Sequence, residues 1–380
     1  LLEARDRGLG RSLQPVESVH REERPRLEAH ADDVRRTHAL DAEDLLASDA
    51  QGQVADGKRV RDARQRADAR LLVLDRASGA LAHRGIRALP ELLRPGELLV
   101  VNATRVEAAR LRGSAAGFAV LLRNLLDAAE ASLPRFQHLH MIHGGQWYGL
   151  HIGPFRTPAR EDDPRHLPPN FYYEQQDMVA ERQRGKAWSW SASRPNFVLD
   201  VAPGRARNMV STLGAYAAIC RELGAPFDFP GKPGAFTALH EVSDAKLLAQ
   251  SILWMLSEPR AANRAFNVTN GDAFRWCDMW PHLAGLFGVA PGGVRTMSMA
   301  RWMADKAPVW EKIRARHGLT LPIEQVASWE FADFALNMDY DVLASMTAAR
   351  QAGFTGFVDS WAMFAEQIEG YRAARVLPPR

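Results

Sequence analysis

The sequence predicts an α/β fold built on a mostly parallel sheet and completed by a mainly helical C-terminal lobe. Two patterns predict it. From residue 118 onward, short apolar or alternating runs are separated by segments with helical spacing and recognisable caps, the order that parallel βαβ units require. From Trp276 onward the chain is aromatic-rich and reads mainly as helices, which suits a substrate-binding lobe laid over the sheet edge.

Taken in order, residues 1–66 are rich in Arg, Asp, Glu and Ala and poor in aromatic and β-branched side chains. Such a segment buries too little apolar surface to offset the entropy of ordering it and is expected to be a disordered arm. A short helix at 40–48 with Asp41 as cap is the most that it promises. Residues 67–117 form a second, β-rich segment: an apolar run at 71–74, a turn at Ala77-Ser78-Gly79 and a second strand at 81–86 make a hairpin pattern. A short helix at 89–93 closes at Pro95-Gly96, and residues 98–101 read as a buried strand.

Residues 118–275 carry the alternating pattern. A helix at 120–131 places Leu121, Leu125 and Ala128 on one stripe, and His138–Ile142 is a strand running into Gly144-Gly145. After a polar, Pro-rich loop at 154–169, Asn170 caps a helix that opens N-F-Y-Y-E-Q-Q-D. Residues 188–193 alternate as a strand and stop at Arg194-Pro195. Helices follow at 208–223, ended by Gly224, and at 243–256, with Ser243 and Asp244 as caps. A strand at 265–268 then meets the turn Asn270-Gly271, and residues 276–380 complete the chain as the helical lobe.

Composition excludes several classes. With 46% hydrophobic and 24% charged residues among 380, the chain is globular in character and long enough for a sizeable core. No apolar run approaches the roughly 20 residues of a membrane span, and the N-terminus is too charged for a signal peptide, so a cytoplasmic protein without a membrane partner is expected. Cys220 and Cys277 are too few for a disulfide framework. A net charge of +3 from 48 basic and 45 acidic residues carries no nucleic-acid signature, although the basic residues are mostly arginine. Between Leu1 and Gly185 the only lysine is Lys58.

Two stretches resemble known families. Residues 70–113, above all R-P-G-E-L-L-V-V-N-A-T-R-V-E-A-A-R-L-R-G, resemble the N-terminal region of the S-adenosylmethionine:tRNA ribosyltransferase-isomerases of queuosine biosynthesis. That family's aspartate is here Ala103 and its proline is replaced near Ala108, and no functional residue carries over. From about residue 118 to the end, N-F-Y-Y-E-Q-Q-D, W-S-W-S-A-S-R-P-N, L-G-A-Y-A-A-I-C-R-E-L-G, S-D-A-K-L-L-A, A-F-N-V-T-N-G-D-A-F-R-W and A-P-V-W-E recur in one order. Together they resemble the progesterone 5β-reductase and iridoid synthase-like (PRISE) group of extended short-chain dehydrogenases.

The second resemblance implies a Rossmann-like sheet and reduction, by NADPH, of a double bond conjugated to a carbonyl in a small apolar substrate. Hydride addition at the β-carbon leaves negative charge on the carbonyl oxygen, where a donated phenol hydrogen bond stabilises it. By position that phenol is Tyr172, with Tyr173 beside it. The Arg194-Pro195-Asn196 turn is the implied cofactor contact.

Two family parts are absent. Where classical short-chain dehydrogenases carry a lysine four residues after the tyrosine, this chain has Gln176, and where the 5β-reductase group uses G-x-K-x-Y it has Gly144-Gly145-Gln146-Trp147-Tyr148. A neutral amide can hydrogen-bond a ribose hydroxyl but cannot favour a phenolate electrostatically. No G-x-x-G-x-x-G loop for a pyrophosphate occurs before Phe118. The N-terminal nucleotide-binding half therefore reads as replaced or degenerate, and the expected function is an enone reductase by descent with activity weakened or lost.

A non-catalytic module binding a small ligand or a partner chain is the alternative, and an RNA-associated protein the second; homodimerisation is left open. The remaining constellations read as structural. His138 and His140 share a strand face that excludes His143, and partly exposed histidines are expected there rather than a metal site. Ser191 and Ser193 lack a nucleophile elbow, and Trp276, Trp280, Trp302, Trp310 and Trp329 are expected mostly in the core.

Overall fold

The computed structural model describes residues 70–74, 81–85, 100–101, 115–133 and 135–380. The arm expected at 1–66 and the helix expected at 89–93 lie outside the described residues.

The hairpin is present: β1 (Arg70–Leu74) pairs antiparallel with β2 (Leu81–Gly85), Arg70 opposite Gly85. The strand after it behaves differently. β3 (Val100–Val101) leaves the hairpin and lies parallel to β4 (His138–Ile142), Val100 opposite His140 and Val101 opposite Met141. On its other edge β4 pairs with β5 (Ser189–Arg194), and β5 with the Arg264–Asn267 strand, so among the described residues the sheet has four strands, all parallel. Part of the N-terminal segment is thus built into the sheet.

Strand alternation decides what each face meets. On one face Leu139, Met141, Trp190 and Ala192 bury against helices α1 (Ala115–Ser132) and α2 (Phe171–Gln183), with Leu122, Leu126 and Val179 completing the cluster. On α1, Leu122, Leu126 and Ala129 are buried and Leu125 packs partly buried against the same cluster. Glu130 fastens α1 to the end of α2 by accepting from Arg182 Nη2 (2.7 Å), Lys186 Nζ (2.5 Å) and Trp188 Nε1 (2.9 Å). The Arg182 hydrogen bond, more than any other contact, holds this carboxyl down at about 2.

The other face carries a file of polar side chains. Along it Ser189, His138, Ser191, His140 and Ser193 are joined by contacts of 2.8, 2.7, 2.8 and 3.1 Å. His140 is fully buried rather than partly exposed, because Ala245–Ser257 packs across this face with Leu247, Leu248 and Ile252. That helix begins as expected at Asp244, whose carboxylate accepts from Lys246 N and Leu247 N.

α3 (Met209–Leu223), capped by Asn208 and ended by Gly224 at φ +62°, lies at the centre of the largest core cluster. Nearly every side of α3 is covered, by the helices Trp276–Phe287, Ala307–His317, Trp329–Leu336 and Ser360–Ala373. Phe227 stacks on Trp280 at 4.3 Å in the middle of this core. Trp276 and Trp310 are buried in it, and Trp302 and Trp329 pack partly buried against it. None of the described helices is long and apolar enough to cross a membrane.

Candidate active site

The carboxyl ends of β4 and β5 and the start of α2 converge, as expected for a ligand-binding edge of a parallel sheet. Beyond Ile142, the His143 amide still donates to Ser193 O at 2.8 Å, so the strand pairing continues for one residue. Gly144 is extended, and Gly145–Tyr148 forms a single 3₁₀ turn that Gly149 closes at φ +86°. Gly145 must be glycine because a Cβ there would lie 2.1 Å from Asn196 Oδ1 and 2.9 Å from the Leu150 side chain.

Asn170 joins this turn to α2. Its side-chain oxygen accepts from Tyr172 N at 3.0 Å, the expected cap, and its amide donates to the Gln146 carbonyl at 2.9 Å. His166 Nε2 lies 3.0 Å from the same carbonyl. The Gln146 side chain, half-buried, makes no hydrogen bond to any described residue.

The two tyrosines have different fates. Tyr173 donates its hydroxyl to Trp147 O at 2.5 Å and accepts from His166 N at 3.1 Å, so its phenol is spent on the loop. Tyr172 is 4% exposed, packs against Phe171 and His143 at ring distances of 4.1 and 5.1 Å, and its hydroxyl makes no hydrogen bond among the described residues. Burial pushes this phenol well above its ordinary range, opposed only in part by the Arg207 charge. A Cβ on Gly144 would stand 3.5 Å from the Tyr172 hydroxyl and 3.7 Å from Pro195 O. Tyr172, Gly144 and Pro195 therefore meet.

Arg194 and Asn196 are buried at the end of β5. The Arg194 guanidinium lies 3.7 Å from the Trp147 ring centre and donates to Tyr148 Oη (3.1 Å), Glu161 O (3.1 Å) and Gln176 Oε1 (3.2 Å). Gln176, one of the two vacated lysine positions, is thereby engaged by the protein itself. Asn196 donates from Nδ2 to Glu241 Oε1 at 2.7 Å and from its backbone to Ser243 Oγ at 3.0 Å, while its Oδ1 is buried without a partner. Lys186, Lys232, Lys246 and Lys306 each pair with a carboxylate.

His143 is the residue that the strand-face argument passes over. Its ring, 2% exposed, lies beside both Trp147 and Tyr172, and neither ring nitrogen has a partner. Its signal in the sequence is position rather than periodicity, since it stands at the carboxyl end of a parallel strand just before two glycines. Among the described residues no three His, Cys, Asp or Glu side chains gather as a metal-binding set.

A dinucleotide was tested against this geometry. Orphaned buried atoms at His143 and Asn196 leave polar capacity at the sheet edge. The Gly144-Gly145 pair offers no phosphate cradle, because the space a Cβ would fill at Gly145 is already occupied by Asn196 and Leu150. The Gly144-Gly145 pair therefore gives a pyrophosphate no seat.

Comparison with known proteins follows this division of the chain. The model for a queuosine biosynthesis protein matches residues 58–142, a longer stretch than residues 70–113, running on through α1 and β4. The model for a PRISE-like Rossmann-fold domain matches residues 113–378. The (S)-8-oxocitronellyl enol synthase ISY2 of Nepeta racemosa is 37% identical over 269 residues, 68% of this chain and 68% of that protein. A short chain dehydrogenase of Penicillium aethiopicum is 34% identical over 277 residues, covering 68% and 74%. The 3-oxo-Delta(4,5)-steroid 5-beta-reductase of Arabidopsis thaliana is 34% identical over 274 residues, covering 68% and 69%. Among solved structures, UDP-glucose 4-epimerase of Thermotoga maritima has a TM-score of 0.49 at 14% identity, over 76% of this chain and 80% of that one. With its parallel sheet, its Asn170-capped tyrosine helix and more than two thirds of its length matched in order, the chain belongs to the PRISE-like Rossmann-fold family of short-chain dehydrogenases.

Proposed function

We propose that this chain is a reductase of activated, enone-type double bonds by descent, with NAD(P)H as hydride source, and that its turnover is weak or lost. The observation that carries this reading is the free hydroxyl of Tyr172, held at the sheet edge by the Asn170 bridge while Tyr173 is consumed structurally. A phenol so placed can donate to the oxygen on which charge develops. What weakens it is equally local. Gln146 brings no charge, and Tyr172 is left far above its ordinary range by burial. Residues 118–275 supply the Rossmann-like portion, residues 276–380 the lobe over a small apolar carbonyl substrate, and residues 67–117 stand where the nucleotide-binding half would be.

NADPH titration and NADPH oxidation with 2-cyclohexen-1-one test the reading. The unmodified chain and Gln146→Lys alone are expected to show no detectable turnover. A chimera carrying a family nucleotide-binding half in place of residues 1–117, together with Gln146→Lys, is expected to gain turnover, and Tyr172→Phe to reduce it by roughly 10²-fold or more. Robust turnover by the unmodified chain would refute the weakened state. An active chimera indifferent to Tyr172→Phe would refute the choice of tyrosine. Absence of cofactor binding in both proteins would favour a non-catalytic ligand-binding module.

A further inference from the structure

We propose that His143 is a second hydrogen-bond donor beside Tyr172, and that the pair forms a site for the oxygen of a planar conjugated oxyanion, an enolate or a phenolate. The proposal rests on the reading above for the place of the site, but not on cofactor binding.

The sheet's own histidines show what is unusual about His143. His138 and His140 each place both ring nitrogens on serine hydroxyls. His143 lies one position beyond β4, nearly as buried as His140, and satisfies neither nitrogen. Buried polar groups are paired in folded proteins with few exceptions, and an exception asks what completes it. The neighbouring Tyr172 hydroxyl makes no hydrogen bond among the described residues. Two adjacent donors without an acceptor are complementary to one acceptor atom.

The charge state fits that role. Burial, followed by the nearby charge of Arg194 and the ring of His140, holds His143 neutral. A neutral imidazole keeps one N–H to donate and one lone pair. Its ring is fixed from two sides, stacked on Trp147 at 5.2 Å with 12° between the planes and tilted on Tyr172 at 5.1 Å. Fixed donors need no reorganisation when charge arrives. Gly144, bare of side chain, borders the Tyr172 hydroxyl, where a Cβ would stand 3.5 Å from it. With no lysine to lower the phenol, His143 supplies a second donor to the same oxygen.

The probe is 4-nitrophenol, whose phenolate absorbs visibly and whose binding needs no nucleotide. The full chain is titrated at neutral pH without cofactor, and ring nitrogens of ¹⁵N-labelled protein are followed by NMR. Wild type is expected to bind the phenolate form and to move the His143 ring signals on saturation. His143→Leu and Tyr172→Phe are each expected to weaken binding about tenfold or more, as for a lost hydrogen bond to a charged acceptor. His143→Gln, which retains an N–H, is expected to recover most of the loss. Where His143→Leu does not fold, the wild-type ring signals carry the test.

Wild type that does not bind, His143→Leu that binds as tightly as wild type, or His143 signals unmoved at saturation would each overturn the proposal. Phenolate binding sensitive to Tyr172 alone would sink His143 and leave the site. Phenolate binding sensitive to both, in a chain that never binds NADPH, would support this inference while removing hydride transfer.

Discussion

Asn170 holds Gln146 and the start of α2 in one hydrogen-bonded unit: its amide donates to the Gln146 carbonyl at 2.9 Å while its oxygen caps the helix through Tyr172 N. The 26 positions between Gln146 and Tyr172 (172 − 146) are spanned by this single side chain. The two halves of Asn170 do different work, and substitution can separate them. Asn170→Asp keeps a good cap at the positive end of a helix but turns a donor into a carboxylate oxygen facing a carbonyl. It is expected to destabilise the protein by about 1–2 kcal/mol in urea unfolding despite the better cap. Asn170→Asp as stable as wild type would mean that the link to Gln146 contributes nothing.

The neighbouring glycines differ in a way that their sequence conceals. At Gly145 an added methyl meets Asn196 Oδ1 at 2.1 Å, and Asn196 cannot yield because Glu241 and Ser243 hold it. At Gly144 the same methyl finds ordinary contacts of 3.5 and 3.7 Å. Gly145→Ala is expected to lose about 1–3 kcal/mol of stability, whereas Gly144→Ala folds normally and blocks access to the Tyr172 hydroxyl. Thermal melts of the two variants check the first statement. Loss of 4-nitrophenol binding by Gly144→Ala checks the second.

Local pattern made much of this legible. Alternation placed β5, side-chain capacity identified Asn170 and Asp244 as caps, and Gly224 ended α3 as only a residue at ease with positive φ does. What stayed hidden depends on partners distant in sequence. His140 is sealed by a helix that begins more than a hundred residues later. Arg194, expected at a cofactor, is surrounded by Trp147, Tyr148, Glu161 and Gln176, which no local window contains. The parallel pairing of Val100 with His140 likewise joins stretches forty residues apart in the chain.

The serine–histidine file makes stability depend on acid pH. Burial lowers His138 to about 4 and His140 to about 3, against an ordinary 6.5. Below pH 6.5 the unfolded chain takes up protons that the native state refuses, so stability present above that pH is lost as pH falls toward 4 and below. Each histidine contributes a slope of roughly 1.4 kcal/mol per pH unit within its window. Ser191→Ala removes the one hydroxyl shared by His138 Nε2 and His140 Nδ1 and is expected to cost about 1–3 kcal/mol per orphaned group. Urea unfolding of wild type that is flat between pH 6.5 and 4.5 would contradict the buried neutral histidines.

Glu241 acts in the opposite direction. It is 3% exposed, and its Oε1 accepts from Asn196 Nδ2 and Ala344 N, both at 2.7 Å. Burial raises this carboxyl to about 8 despite those donors. Between its ordinary 4.5 and 8 the native state holds a proton that the unfolded chain releases, so the stability this group lends at low pH is lost as pH rises through that window. Glu241→Gln retains an acceptor for both hydrogen bonds and has no charge to bury. The variant is therefore expected to match wild type near pH 4.5 and to melt progressively higher than wild type up to pH 8, with the difference constant above that. The histidine file is untouched by the change, so below pH 4.5 the two proteins should lose stability with the same slope. Melting curves for both across pH 4.5 to 9 decide the matter: a stability difference that does not grow with pH would show that Glu241 is already ionised in the native protein at neutral pH.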